Sequence, residues 1–306
     1  MERLDAFMAR ANTAYYATRD PFADFTTSPE ISQVFGELLG LWAAVMWRAM
    51  GAPPDIMLAE AGPGRGTLMA DALRAIGRAA PDFRPTVHLV ESSARLRAIQ
   101  AEKLPGAVWH DRVEDLPPGP MVFHANEFLD ALPIRQLRGD GEAFVVGGER
   151  VWRPASDAAI QEACEPGLGI IRTLATRDAT ALFLDYGPTD SAPGDSLQAI
   201  RDGAPADPFV DPGAADLTAH VDFAALAREA RAAGAAVHGP IPQGKFLASL
   251  GLFQRTGILA RTQPPAQAGA MIEAAQRLAE PDRMGRLFKA MAICRPGLPT
   301  PPGFEA

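Results

Sequence analysis

A glycine loop set between an apolar run and an amphipathic run constrains this chain more than any other feature. Asp55-Ile56-Met57-Leu58-Ala59 suits a buried strand, while Met69, Ala72, Leu73 and Ile76 recur at i, i+3, i+4 and i+7, one face of a helix. Between them lies Glu60-Ala61-Gly62-Pro63-Gly64-Arg65-Gly66-Thr67. Strand, glycine turn and helix in that order open a parallel α/β sheet. Glycines remove Cβ atoms, so a ligand can approach the backbone closely. The helix that follows offers free N–H groups toward the same place.

The spacing is G-x-G-x-G, whereas a dinucleotide loop has G-x-G-x-x-G. Glu60 stands at the strand end, where its charge would repel a pyrophosphate. A nicotinamide-dependent dehydrogenase is therefore disfavoured. An acid there suits a ligand that carries an ammonium and a sulfonium, which S-adenosylmethionine does. Glu60, Gly62, Pro63, Gly64 and Gly66 are the candidate residues for this cofactor. A glycine turn with no ligand is the alternative.

Strand and helix go on alternating. Thr86 to Val90 reads as a second strand ended by Glu91, and Ser92 or Ser93 can cap the helix after it. Glu91, beside Ser92, is placed to accept the two hydroxyls of a ribose; a solvated loop glutamate is its alternative. Ala107 to Trp109, Met121 to Ala125 and Ala181 to Leu184 read as further strands. Asp111, in the turn after the third, is where an adenine amine would be met. Phe223, Leu226, Ala227 and Ala230 form a helical stripe closed by Gly234, and Ala235 to Val237 follows as a strand. The expected fold is α/β, a mostly parallel sheet with helices on both faces. Residues 1–50 read as a helical lid, 51–133 as the nucleoside-binding half, 134–180 as an insertion beginning with a small β-meander, and 181–306 as the second half of one domain. Thr189 to Pro212 reads as a long surface loop and Pro296 to Pro302 as an extended tail.

The segment after the fourth strand, Phe123-His124-Ala125-Asn126-Glu127-Phe128-Leu129-Asp130-Ala131-Leu132-Pro133, carries candidate catalytic residues. Strand carboxyl ends hold the sites of open α/β sheets. If the chain turns helical after Asn126, Glu127 and Asp130 share one face and can hold a guanidinium by charge-assisted pairing. The alternative is an Asn126 N-cap, with the acids favouring a helix N-terminus. The histidines form no metal-ligand cluster, so no metal is expected. His124 reads as core, neither cysteine reads as a nucleophile, and Leu41, Trp42 and Val45 read as a packing stripe.

Composition excludes other classes. With 29 Lys+Arg against 37 Asp+Glu the formal charge is −8, and no basic run marks a nucleic-acid footprint. The longest apolar run, Leu38 to Trp47, falls short of the roughly 20 residues a membrane span needs. The opening residues lack the layout of a signal peptide, and only Cys164 and Cys294 occur. A cytoplasmic protein is expected, with a basic partner or a small molecule.

These stretches together resemble the MidA-like class I methyltransferases. The likeness runs through Asp24 to Gln33 with Phe35-Gly36-Glu37, the Glu60 to Thr67 loop, Val90-Glu91-Ser92 and Ala125 to Pro133. It continues through Asp185-Tyr186-Gly187, Asp216 to Phe223, Gln243 to Leu247 and Met284 to Lys289, in family order over nearly the whole chain. The resemblance implies a seven-stranded Rossmann-like sheet and S-adenosylmethionine as donor. It also implies a protein arginine as acceptor, which in the mitochondrial member lies in a subunit of respiratory complex I. Gly62, Gly64 and Gly66 would line the methionine moiety, Glu91 would take the ribose, and Asn126 and Glu127 would face the methyl. Thr26 to Gln33, with Pro29 and Gln33, would cover the site. The Asp20 to Asp24 approach and residues 134–180 are shorter than the family usually has, and both flank the place where a protein would dock. A small-molecule O- or N-acceptor, or a non-catalytic assembly protein, are the competing readings.

Overall fold

Seven strands pair into the main sheet of a computed structural model that describes residues 1–19 and 26–305. They are β1 (Met57–Ala61), β2 (Thr86–Val90), β3 (Val108–His110), β4 (Met121–Asn126), β5 (Ala179–Tyr186), β6 (Ala236–Pro242) and β7 (Phe288–Cys294). Their order across the sheet is β3-β2-β1-β4-β5-β7-β6. Strands β1 to β5 run parallel, and β7 runs antiparallel to both β5 and β6. The chain winds outward from β1 through β2 and β3, then returns to place β4 and β5 on the other side. The crevice left between β1 and β4 at their carboxyl ends is where such sheets bind ligands.

Alternate strand residues feed two cores, as burial on both faces requires. Leu58, Val122, Leu182 and Leu184 meet one helical layer. Ala59, Phe123, Phe183 and Met291 meet the other. Helices α1 (Leu4–Thr18), α2 (Ser28–Ile31) and α3 (Gln33–Ala49) precede β1, while α4 (Thr67–Ala79) and α5 (Ala94–Lys103) follow β1 and β2. Two later helices, α6 (Glu165–Ala175) and α7 (Phe223–Ala232), cover the second face through Ile170, Ile171, Phe223 and Leu226. Gly40 lets α3 lie directly on α4, since a Cβ there would stand 2.6 Å from the Ala72 Cα.

The meander forms as expected from Arg135–Arg138, Gly141–Val146 and Glu149–Arg153, with Gln161–Ala163 added. The chain's own start joins it, Glu2 pairing with Val145. Several expectations need correction. The first strand starts two residues later than read, so Glu60 lies within it. Thr189 to Pro212 is not one long loop: Gln198–Arg201 and Ala204–Ala206 form a hairpin that pairs onward with Asp216–Thr218. The hairpin turn is Asp202-Gly203, both at positive φ, the signature of a type I′ turn hidden among other Gly, Pro and Asp residues. Trp42 is buried, but Val45 is 46% exposed. The proline tail folds back, the Pro302 carbonyl accepting the Trp42 indole N–H at 3.1 Å. The Asp20 to Asp24 approach lies outside the described residues.

Candidate active site

A cavity of about 780 Å³ fills the crevice, roofed by α1 and α2 and floored by the carboxyl ends of β1, β2 and β4. Its first wall is the glycine loop. Gly62, Gly64 and Gly66 have φ of +64°, +54° and +72°, the left-handed region that side chains avoid. Gly62, Pro63 and Gly64 line the cavity. Gly66 does not: it caps α4, and a Cβ on it would meet Leu104 at 3.1 Å. It therefore sets the loop against α5, a packing role.

Glu60 is 2% exposed yet lines the cavity. Its Oε2 has no partner, and burial pushes its carboxyl up to about 8 against one N–H from Met69. A buried acid in the wall of a ligand-sized space accommodates a cationic group. Glu91, at the end of β2, is also buried; it accepts the N–H of Ser93 at 2.7 Å and the Gln100 amide at 3.2 Å. Burial raises its carboxyl above the usual range. Ser93 caps α5 by accepting from the Leu96 N–H, and both Ser92 and Ser93 line the cavity wall. Asp111 lines the same end, but its carboxylate is paired with Arg97 at 2.6 Å and is largely exposed.

The roof comes from α1 and α2. Pro29 and Glu30 line it, and Glu30 accepts the Thr67 hydroxyl at 2.6 Å, which ties roof to loop. Gln33 is not in the wall; its amide donates to Glu37 at 3.3 Å.

The floor at β4 differs most from expectation. No helix follows Asn126. Asp185 Oδ2 instead accepts the N–H groups of Phe128, Leu129 and Asp130 at 3.1, 2.9 and 3.3 Å, and its Oδ1 accepts that of Tyr186. The turn so made puts Glu127 at φ +50°, a conformation non-glycine residues rarely adopt. Glu127 Oε1 then accepts the Ser28 N–H at 2.7 Å and the Asn126 amide at 3.1 Å. Asn126 and Glu127 both line the cavity, and burial raises the Glu127 carboxyl above its ordinary value. Asp130 is turned out of the wall. Its Oδ1 has no partner, and burial, followed by the charges of Asp185 and Asp216, raises its carboxyl well above the usual range. It cannot share a ligand face with Glu127, because the helix that would align the two does not form.

Three residues take roles that the sequence alone did not assign, although Ser28 lies within the expected Thr26 to Gln33 cover. Asp185 shapes the floor, Ser28 reaches Glu127 from the roof, and Tyr16 lines the cavity while its hydroxyl donates to Asp216 at 2.8 Å. A tyrosine on the helix stripe of α1 was the only local signal for the last. His124 is core as read: 1% exposed, packed on Trp42, and pushed down to about 4 by burial. Among the described residues no group of His, Cys, Asp and Glu could hold a metal, and no helix is long and apolar enough to cross a membrane.

Comparison with known proteins decides what kind of site this is. A family model for S-adenosyl-L-methionine-dependent methyltransferases matches residues 38–159 and 148–241. The mitochondrial protein arginine methyltransferase NDUFAF7 homolog of Drosophila melanogaster is 33% identical over 353 residues, covering 95% of this chain and 80% of its own. The chain belongs to the MidA-like family of S-adenosylmethionine-dependent methyltransferases. Homo sapiens NDUFAF7, named a mitochondrial protein arginine methyltransferase, is 34% identical, covering 91% of this chain and 76% of its own. A Burkholderia thailandensis methyl transferase bound to S-adenosyl-homocysteine superposes with a TM-score of 0.81 at 25% identity, covering 99% of this chain and 88% of that one. The seven-stranded class I sheet expected of a MidA-like methyltransferase is thus the one present. The residues also fit the donor: Glu60, a buried acid in the cavity wall, answers an ammonium, and Gly62 and Gly64 present side-chain-free backbone in the same wall.

Proposed function

We propose that this methyltransferase acts on a guanidino nitrogen of a protein arginine, with Glu127 orienting the guanidinium and taking its proton. The observation that carries this reading is Glu127: a half-buried carboxylate on the cavity floor, held by Ser28 and Asn126 through one oxygen. Relatives named as protein arginine methyltransferases support it.

In this reading Glu60, Gly62, Pro63 and Gly64 hold the methionine end of the donor, Glu91 and Ser92 its ribose, and Asp111 borders the adenine. Pro29 covers the site from α2, while Gly66 and Gln33 support it from outside the cavity. The donor supplies an electrophilic methyl on a sulfonium. The chain's own contribution is to hold the acceptor nitrogen in line with that methyl, which lowers the barrier by positioning. A guanidinium is always charged in water, so transfer requires its proton to leave. A half-buried glutamate whose carboxyl is raised holds that proton well. Asn126 fixes the rotamer of Glu127. Asp130, outside the cavity wall, makes no contact with the acceptor.

The acceptor we assign is a subunit of respiratory complex I or a protein of the same kind, and the compartment a reducing cytoplasm, in keeping with two unpaired cysteines. The test is incubation with isotopically labelled donor and arginine-containing peptides from complex I subunits, read by mass spectrometry. Methylarginine is the expected product. Label found only on a small-molecule oxygen or nitrogen would overturn the protein acceptor. Donor binding with no transfer to any acceptor would favour a non-catalytic assembly role.

A further inference from the structure

A second cavity, of about 600 Å³, opens where β5 ends and β7 begins. It borders the first: Pro133 and Pro166 line one, and their neighbours Ile134 and Cys164 line the other. The Met284 to Lys289 segment reaches this second cavity, and the methyl-transfer site makes no use of it.

Lys289 is the unusual residue here. It is only 8% exposed. Its ammonium donates to the carbonyls of Arg286 at 2.6 Å and Leu287 at 2.9 Å, which leaves the third proton of the group unassigned. Lys289 stands opposite Asp185 in the β5–β7 register. The Asp185 carboxylate is nevertheless spent on main-chain N–H groups, and no carboxylate pairs with Lys289 among the described residues. Burying an ammonium without a counter-ion is unfavourable. Arg286 adds a second, exposed guanidinium to the same cavity, also with no ion pair among the described residues. Burial and the Arg286 charge together lower the Lys289 pKa. Lys289 and Arg286 thus line one space without an ion pair among the described residues, whereas Arg283 in the same wall is engaged by Glu273 and Glu280.

We propose that this cavity binds a carboxylate, with Lys289 as its buried cation and Arg286 at its mouth. The acids along the wall do not fill that role. Glu162 is engaged by Ser196 and Gln136, and Asp222 caps α7 while accepting from Ser191. Asp282 is exposed on the rim. The negative charge of these acids opposes a dianion, so a singly charged carboxylate is preferred over phosphate. Ile134, Ala163 and Leu287 accept a short apolar stem behind it. The carboxylate comes either from a free organic acid or from an acidic side chain of a bound protein.

Calorimetric titration separates these sources without any methyl transfer, so the result is independent of the arginine reading. The probes are butyrate, a short peptide with one glutamate, the same peptide with glutamine, and inorganic phosphate. Butyrate or the glutamate peptide is expected to bind, and whichever binds identifies the source. The glutamine peptide and phosphate should bind at least about tenfold more weakly, the worth of one charge-assisted contact. Lys289→Met and, separately, Arg286→Gln should weaken the carboxylate by a similar factor and leave donor affinity unchanged. Arg286→Gln, on the surface, keeps the test decisive if Lys289→Met fails to fold. No binding of either carboxylate probe, or equal binding by both variants, overturns the proposal.

Discussion

Glu127 Oε1 accepts the main-chain N–H of Ser28 at 2.7 Å, across 99 residues of sequence. This bond joins the floor of the donor cavity to the first residue of the roof helix α2. Roof position and orientation of the acid are therefore one variable. Lids of this kind exclude water and complete a site together. Glu30, two residues along the same helix, ties the roof to the glycine loop through Thr67.

Glu60 should make donor binding depend on pH. Its carboxyl is held at about 8 when folded, against 4.5 for the ordinary group. A raised acid binds its proton more tightly in the folded chain, so its contribution to stability is complete below pH 4.5 and is lost as pH rises through about 8. The ammonium of the donor favours the ionised form. Binding at pH 7 should therefore release close to one proton, measured by calorimetry in buffers of different ionisation enthalpy. Glu60→Gln should abolish that release.

Gly64→Val should remove donor binding. Gly64 lines the cavity at φ +54°, and a β-branched residue there is strained by about 1–2 kcal/mol before its side chain meets any ligand. The expected loss is at least about tenfold in donor affinity by titration, with the fold retained by circular dichroism.

The glycine loop, the acid ending β2 and the helix stripe of α4 are local signals, and the structure keeps each of them. The floor was not legible because its cause is remote. Asn126 followed by acids reads as a helix start, yet Asp185, more than fifty residues on, takes the N–H groups that such a helix would use. That choice depends on β4 pairing with β5, which no local pattern announces. The Asp202-Gly203 hairpin was legible in principle and was masked by neighbouring turn residues.

Asp185→Asn should destabilise the protein by roughly 2–3 kcal/mol in urea unfolding, since an amide offers one acceptor oxygen where four N–H groups converge. Its donor affinity should change less than its turnover, because the turn it holds carries Glu127.

Gly40→Ala should cost about 1–3 kcal/mol by overpacking the α3–α4 contact, where the new Cβ would sit 2.6 Å from Ala72. Chemical unfolding should show this with donor affinity little changed, as Gly40 lies outside the cavity wall.

The most direct measurement is methyl transfer by Glu127→Gln beside its donor affinity. The account predicts a fall in turnover of at least about 100-fold, the range of general acid–base catalysis, with donor affinity within a few-fold of the parent. Parent-like turnover in a variant that binds donor normally would contradict the assignment of Glu127.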